Sequence, residues 1–498
     1  MTVGPGGAVE APPGPHCWPC GPPGKGSRLN TNHKEEVVKT RTLILAIGAC
    51  AALLLAGTPG WTQDAPFWFW RWGHMEGPHD SSKTLGISDD GKTAVGATVV
   101  VDFQRAWRSD IDWAIATDDG VPPLFNELKV QEDIGIIAPS QPSAAYASSN
   151  MLWEPVGYDL PNLNLDWGGS RPVGTIMGGT VSYGIEWLLP VLDSVDEGDF
   201  VKIPDFGGGT SLMEMTDVSA DGLIVVGYGS NRKGPIAFRA DMIDPLLPVV
   251  KTLTITDSLY TLQTLKWSVA EAMAVDSTLR EFIAGYGGTK TGNRAFVTEV
   301  LDPATDPITL QSVVLPLLGG GKWSEAYAMA VNPNDDRLIV AGRSDSSKGP
   351  QACIWWFDST SGLWVVKGLG GLSKKTFDSV ATGVVWRPGS DAGELLVVGR
   401  SKSILYPSEA MIWAGNPVVE DDGVGYIYDL EYIMIKTGTA ELSQCGSEWI
   451  LNEATGVALN VDDPYETRIV GWGTNPEGGI EAYVVTGFPY MVPVFTHE

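Results

Sequence analysis

Short apolar runs that end in a small-residue signature recur along the chain. Three of them, at residues 223–226, 338–340 and 395–398, are continuous. Continuous apolar runs of this length are typical of strands buried on both faces, as in sheets stacked face to face. Alanine-rich segments, as at 272–275 and 326–331, precede several of these runs. Because small side chains permit a close approach, we expect these segments beside a crowded axis.

The signature occurs seven times, and each copy ends in a glycine. In six copies an alanine follows the glycine by ten or eleven residues, with a large residue at or shortly after it, as in Ala237-Phe238. The second copy has Ile185 and Trp187 instead. Four of the six intervals between the glycines measure 53 to 58 residues, and insertions near 121–165 and 415–448 explain the longer ones. The signature glycines are Gly96, Gly174, Gly227, Gly285, Gly342, Gly399 and Gly471.

A unit of this size holds four short strands, which is one blade of a β-propeller. The pattern therefore predicts an all-β fold, a seven-bladed β-propeller with four-stranded blades over residues 66–489. The aromatic segment 67–72 is similar to the strand that follows each signature. We expect this N-terminal strand to complete the last sheet and close the ring, which removes exposed sheet edges.

These motifs resemble the bacterial extracellular repeat family known as HAF. Residues 215–239 are most similar to its repeat, with a Ser-x-Asp-Gly turn, a Val-Val-Gly signature and an Ala-Phe pair. Residues 428–487 are similar to the usual last repeat of such proteins. The resemblance spans the body at 66–489. It implies export and a propeller, and it implies no established reaction or catalytic residue.

The N-terminal segments predict export. Residues 1–41 form a Pro/Gly-rich tail and a basic n-region, and residues 42–60 contain a hydrophobic segment. Its uncharged apolar run is short for a membrane span and suits a signal peptide, with an uncleaved anchor as the alternative. We expect an extracellular, cell-surface or periplasmic protein with a C-terminal tail at 490–498.

The net charge of the chain excludes some classes of partner. The sequence has 60 Asp and Glu but only 33 Lys and Arg, and the formal net charge is −27. Such an acidic body repels phosphate backbones and anionic membranes. We therefore expect no nucleic-acid partner, and contact with a membrane only through the N-terminal segment if it is uncleaved.

Candidate catalytic groups are scarce. Apart from the termini, the body contains only His74 and His79, which argues against a His-centred triad or a three-His metal site. Acidic pairs at 335–336 and 462–463 lie beside Gly or Pro. Solvated turns are the favoured interpretation, with calcium or a glycosidase carboxylate pair as alternatives. The Ser-x-Asp-Gly motifs are interpreted as turn formers. We predict no catalytic or metal-binding residue and no cofactor, with calcium left open.

Aromatic residues suggest where a ligand binds. The aromatic residues after each signature are interpreted as packing between blades, because their place in the repeat is fixed. The two insertions are better candidates, since loops on a rigid scaffold commonly carry binding. The candidate ligand-binding residues are Tyr146, Trp153, Tyr158, Tyr426 and Tyr428.

The expected function is that of an exported, non-catalytic propeller that binds a protein or glycan partner. The alternative is a polysaccharide-active enzyme, a glycoside hydrolase or lyase, with carboxylates on a propeller face. An enzyme should bring two or more carboxylates together at one end of the central channel. A binding module should instead carry an aromatic or polar patch built from the insertions.

Overall fold

The computed structural model describes most of the body of the chain. The described residues are 68–72, 81–100, 103–111, 126–128, 132–133, 142–150, 171–178, 181–187, 200–203, 212–231, 234–243, 248–257, 264–305, 307–373, 376–387, 394–415, 426–430, 449–463 and 466–487. The segments 1–41, 42–60 and 490–498 lie outside these ranges, as do Trp153 and Tyr158. No helix in the described ranges is long and apolar enough to cross a bilayer.

The described residues form an all-β structure of seven small sheets, whose strands are numbered in chain order. Sheet 1 contains β2 (Ser81–Ile87), β3 (Thr93–Val100), β4 (Phe103–Asp110) and β6 (Glu132–Asp133). Sheet 2 contains β7 (Ser143–Ser148), β8 (Pro172–Gly178), β9 (Val181–Trp187) and β10 (Phe200–Lys202). Sheet 3 contains β11 (Met213–Val218), β12 (Ile224–Asn231), β13 (Gly234–Asp241) and β14 (Val249–Thr252).

The later sheets repeat the same order. Sheet 4 contains β15 (Ser268–Val275), β16 (Glu281–Gly288), β17 (Asn293–Asp302) and β18 (Thr309–Val314). Sheet 5 contains β19 (Ser324–Val331), β20 (Leu338–Ser344), β21 (Gln351–Asp358) and β22 (Leu363–Gly370). Sheet 6 contains β23 (Ser379–Arg387), β24 (Glu394–Ser401), β25 (Glu409–Gly415) and β26 (Tyr426–Asp429). Sheet 7 contains β27 (Ile450–Leu459), β28 (Thr467–Thr474), β29 (Ile480–Thr486), β1 (Trp68–Trp72) and β5 (Asn126–Leu128).

Sheet 7 joins the two ends of the described chain. β1 pairs antiparallel with β29, from Trp68 opposite Thr486 to Trp72 opposite Ala482. The ring of Phe69 packs against Trp449, with ring centroids 5.3 Å apart. The N-terminal aromatic strand thus occupies the fourth position of the last sheet.

One sheet departs from the expected four strands. β5 pairs in parallel with the other edge of β1, so sheet 7 has five strands. This strand comes from the segment predicted to be an insertion at 121–165, and it covers an edge that β1 would otherwise expose. The same predicted insertion also contains β7, which is the first strand of sheet 2.

All seven signature glycines lie on the second strand of a sheet, opposite a β-bulge in the first strand. A Cβ atom on any of them would lie 2.0–2.1 Å from a carbonyl oxygen of the first strand. No side chain fits at that distance, and this close approach explains the recurrent glycine. The unpaired bulge residues are Leu85, Tyr146, Thr216, Glu271, Tyr327, Thr382 and Thr455.

The alanines that follow the signatures link neighbouring sheets. In five copies the alanine N–H donates to a serine hydroxyl on the first strand of another sheet. The pairs are Ala106–Ser143, Ala237–Ser268, Ala295–Ser324, Ala352–Ser379 and Ala482–Ser82, at 2.9–3.1 Å. The last pair joins sheet 7 to sheet 1. Thr455 adds a second bond across the same seam, with its hydroxyl 3.0 Å from the Thr84 carbonyl oxygen.

The core lies between the sheets. Each of the six main clusters of buried apolar side chains combines residues of two sheets, and one of them joins sheets 1 and 7. The large residues of the third strands are buried within the core, as the packing interpretation predicts. They are Trp107, Phe238, Phe296, Trp355, Trp413 and Tyr483, each at most 2% exposed.

The Ser-x-Asp-Gly motifs form turns, as expected. In the turn at 219–222, the Ser219 hydroxyl donates to Asp221 at 2.5 Å, and the Asp221 carboxylate accepts the Leu223 N–H. Gly222 has a φ of 71°, which favours glycine. The carboxylate thus stabilises its own turn.

Candidate functional site

The first strands of the seven sheets lie together. Each contacts the first strands of two other sheets, in the cycle β2, β7, β11, β15, β19, β23, β27 and back to β2. Side chains that contact one another here come from three kinds of position: the bulge residue, the residue two before it, and the residue after the signature glycine. Eight of these positions in sheets 2 to 5 hold charged or aromatic side chains, which we name the first-strand cluster. It comprises Tyr146, Glu214, Tyr228, Glu271, Tyr286, Glu325, Tyr327 and Arg343.

Glu214 of β11 is held by two tyrosines. The Tyr228 hydroxyl donates to its carboxylate at 2.6 Å, and Tyr146 of sheet 2 makes a second hydrogen bond to it. Burial raises the pKa of Glu214 despite these bonds. Burial and the adjacent carboxylate also raise the pKa of both phenols, so both remain hydrogen-bond donors.

Glu271 is the bulge residue of sheet 4 and lies between two other acidic groups. Burial, followed by the charge of Glu214, raises its pKa to about 8, although Tyr286 offers it a hydrogen bond. The charges of Glu325 and Asp217 act in the same direction. Three carboxyl groups from three sheets therefore influence one another, and the middle one holds its proton near neutral pH.

Glu325 is paired differently. Its carboxylate accepts hydrogen bonds from Tyr327 at 2.5 Å and Asn293 at 2.8 Å, and it pairs with Arg343 at 2.6 Å. Burial alone would raise its pKa, but the Tyr327 hydrogen bond and the Arg343 charge outweigh burial and lower the pKa. Glu325 and Glu271 are therefore in opposite protonation states at neutral pH.

Aromatic rings frame these carboxyl groups. Trp267 and Tyr286 pack edge to face with centroids 6.0 Å apart, and Tyr286 and Tyr327 are also 6.0 Å apart. The Arg343 guanidinium lies 5.0 Å from the centroid of the Trp323 ring. All of these aromatic side chains are half-buried, so each retains some surface open to solvent.

Sheets 6, 7 and 1 carry a second group at equivalent positions. Arg400 of β24 approaches Glu453 of β27 at 3.3 Å. The Lys83 ammonium lies 4.0 Å from the centroid of the Trp472 ring, and its charge also acts on Glu453. Glu453 and Glu325 thus have cationic neighbours. Within the described part of the chain, Glu214 and Glu271 pair with tyrosine and with no Lys or Arg.

The structure brings only one of the predicted ligand-binding residues into this cluster. Tyr146 lies on the first strand β7 rather than in an inserted loop. Tyr426 and Tyr428 lie in β26, the fourth strand of sheet 6, which is also part of the sheet rather than an insertion. Trp153 and Tyr158 lie outside the described residues.

Sequence reasoning missed the glutamates of the cluster. A signal was present, because Glu271 and Glu325 each directly precede the alanine-rich part of a largely apolar first strand. Their convergence depends on the bulges, which turn one residue of each first strand out of the ladder. No group of three or more metal-ligating side chains occurs among the residues that the structure describes.

The sequence matches no protein-family model, and no curated protein is detectably similar to it. The resemblance to HAF repeats therefore rests on the motifs alone. Similar solved structures are β-propeller proteins. They include Sqt1 from Chaetomium thermophilum, at 12% identity over 84% of this chain and 96% of that one, with a TM-score of 0.40. A protein from Lactobacillus plantarum shares 10% identity over 80% and 94% of the two chains, with a TM-score of 0.38. TolB from Acinetobacter baumannii shares 9% identity over 80% of each chain, with a TM-score of 0.33.

Proposed function

We propose that the chain is an exported, non-catalytic, seven-bladed β-propeller that binds a glycan partner in its central channel. Each sheet is one blade, the first strands line the channel, and β1 closes the ring. The hydrogen bonds Ala482–Ser82 and Thr455–Thr84 support closure, because they link the last sheet to the first. The apolar cluster shared by Ala94 of sheet 1 and Val470 of sheet 7 supports it as well.

The observation that carries the binding proposal is the set of half-buried rings around the carboxyl groups of sheets 3 to 5. The negative face of an aromatic ring attracts the C–H groups of a sugar. Carboxylates and phenol hydroxyls pair with sugar hydroxyls. Trp267, Tyr286 and Tyr327 supply the rings, and Glu214 and Glu271 supply the polar groups. A stable protein partner would bury about 800 Å² on each side, which is more than this small group of side chains offers, so the glycan is favoured.

A glycan array with the full chain, followed by calorimetry on the best ligand, tests this proposal. We expect Tyr286→Ala to weaken binding at least about tenfold, which corresponds to about 1.4 kcal/mol. The matched control is Phe357→Ala, which removes an exposed ring on the third strand of sheet 5. An array without binders, or equal losses in both variants, contradicts the proposal.

A polysaccharide-active enzyme is the second candidate. The pKa of Glu271 is raised and that of Glu325 is lowered, which favours this candidate. In glycoside hydrolases the general acid likewise has a raised pKa while its partner carboxylate stays ionised. The test is incubation with polysaccharides and detection of new reducing ends or unsaturated products. Cleavage that Glu271→Gln abolishes and Glu477→Gln preserves would replace the binding proposal.

Export and membership of the HAF repeat family remain parts of the proposal. They are supported by the hydrophobic segment at 42–60, the acidic body and the seven repeats. The partner then meets the protein at the cell surface, outside the cell or in the periplasm. Protease treatment of intact cells tests this, and a chain that is degraded only after lysis of all membranes contradicts export.

A further inference from the structure

We infer that the glycan bound by the first-strand cluster carries a protonated amine, as an oligosaccharide of deacetylated amino sugars does. This inference rests on the proposed function and narrows it to one ligand class. Two observations support the inference. The described Lys and Arg are unevenly distributed among the seven sheets, and aromatic rings lie close to the carboxyl groups that have no cationic partner within the described residues.

The first observation is a difference between equivalent positions. Glu214, Glu325 and Glu453 all lie two residues before a bulge. Glu325 pairs with Arg343 at 2.6 Å, and Glu453 approaches Arg400 at 3.3 Å. In sheet 3 the position of those arginines is held by Tyr228, so Glu214 has phenol partners instead. Sheets 3 and 4 therefore contain acidic groups, Glu214 and Glu271, that pair with no described Lys or Arg.

The second observation is the aromatic frame. Tyr146, Tyr228 and Tyr286 hydrogen-bond the two carboxyl groups, and Trp267 packs edge to face on Tyr286. Clustered aromatic rings bind ammonium groups in proteins through their faces, and the carboxyl groups that these tyrosine hydroxyls contact would add an opposite charge. Elsewhere in the same ring of strands, the protein's own cations already lie over aromatic faces, Lys83 on Trp472 and Arg343 on Trp323. A ligand ammonium would make the same contact in sheets 3 and 4.

The remaining surroundings favour an organic cation. The groups coupled electrostatically to Glu271 are the carboxyls of Glu214, Glu325 and Asp217 and the hydroxyls of Tyr286, Tyr146 and Tyr228. Asp217 is occupied, because its carboxylate accepts the N–H groups of Met273 and Val218. Within the described residues no three ligating side chains are arranged for a metal ion. The net charge of −27 also attracts cations.

A bound ammonium would lower the pKa of Glu271 and expel its proton, because opposite charge favours the ionised carboxylate. Binding of the amine should therefore release protons, and an acetylated amine should not. This readout separates a charge contact from simple stacking on the rings.

Calorimetry with the full chain tests the inference with two probes of equal length, the glucosamine tetramer and the N-acetylglucosamine tetramer. Titrations in mildly acidic buffers of different ionisation enthalpy measure the protons released. We expect the glucosamine tetramer to bind at least about tenfold more tightly, with proton release. Glu271→Gln should remove most of that preference, and Glu214→Gln provides a second variant. Glu477→Gln changes the net charge equally in an exposed turn and is the control.

The outcomes are distinguishable. Equal binding of the two tetramers overturns the amine inference and leaves the glycan proposal in place. Absence of binding by both tetramers and by every other glycan on the array overturns both. A preference for the amine that survives in Glu271→Gln and Glu214→Gln overturns the assignment to this cluster.

Discussion

A signature glycine replaced by alanine should destabilise the protein strongly, and Gly399 offers the cleanest case outside the first-strand cluster. A Cβ atom at this position would lie 2.0 Å from the Val380 carbonyl oxygen and 3.0 Å from the Ala381 Cα. Both neighbours are backbone atoms of the bulged strand, so no side chain can rotate away. The first and second strands of sheet 6 must separate instead.

The size of the expected destabilisation follows from the steric overlap between the added Cβ atom and the Val380 carbonyl oxygen. A carbon atom and a carbonyl oxygen normally approach to about 3.3 Å, so the strands must move apart by about 1 Å. An extra methyl group in a packed interior costs about 1–3 kcal/mol, and each weakened backbone hydrogen bond adds about 1 kcal/mol. We expect Gly399→Ala to lower the free energy of unfolding by about 3 kcal/mol.

The assay is urea unfolding followed by tryptophan fluorescence, with Gly319→Ala as the control. A Cβ at Gly319 meets no heavy atom within 4 Å, and its φ is not in the left-handed region. The control should change stability by less than about 1 kcal/mol, and in the stabilising direction. If the two variants unfold alike, close approach at the bulge is not the reason for the recurrent glycine.

Three further predictions concern the seam and the cluster. Phe69 is partly buried and packs against the core between sheets 6 and 7, so Phe69→Ala should cost about 2 kcal/mol in urea unfolding, whereas Phe357→Ala, at an exposed ring, should cost under about 1 kcal/mol. Equal losses contradict closure by β1. Thr455→Val should cost about 1 kcal/mol through the lost bond to Thr84, and an unchanged midpoint contradicts that contact. Burial raises the pKa of Glu271 from about 4.5 to about 8, so the folded state keeps a proton that the unfolded state loses, and stability should fall as pH rises through this range. Glu271→Gln should flatten that dependence in denaturation midpoints measured against pH, and an unaltered slope contradicts it.

The repeat could be predicted from the sequence because its strands, turns and buried aromatic positions each depend on local residue patterns. Continuous apolar runs predicted buried second strands, and Ser-x-Asp-Gly predicted the turns. The fixed place of Trp355 and its equivalents predicted burial between sheets, and Trp355 is fully buried. The similarity of 67–72 to the aromatic strands predicted the pairing of β1 with the end of the chain.

The first-strand cluster could not be predicted from the sequence in the same way. A residue of a first strand is left unpaired only where a β-bulge occurs, and no pattern of side chains in the sequence predicts the position of the bulge. Glu214 and Glu271 are 57 residues apart and occupy different positions relative to their bulges, so their proximity comes from the packing of whole sheets. The long interval between the first two signatures predicts that Tyr146 lies in an inserted loop, whereas it lies within β7, the first strand of sheet 2. The fifth strand of sheet 7 is too short and too polar to show a strand pattern.

Infrared difference spectroscopy of carboxyl protonation tests most directly that glutamates of separate sheets converge in the first-strand cluster. Exposed carboxyl groups are ionised at neutral pH, so a protonated-carboxyl band there reports buried carboxyls. Burial raises the pKa of both Glu271 and Glu186 to about 8, so the part of the band that Glu271→Gln removes is the part that belongs to the cluster. We predict such a band for the wild type, reduced in Glu271→Gln and unchanged in Glu477→Gln. A spectrum without it at neutral pH, or equal bands in all three proteins, contradicts the convergence.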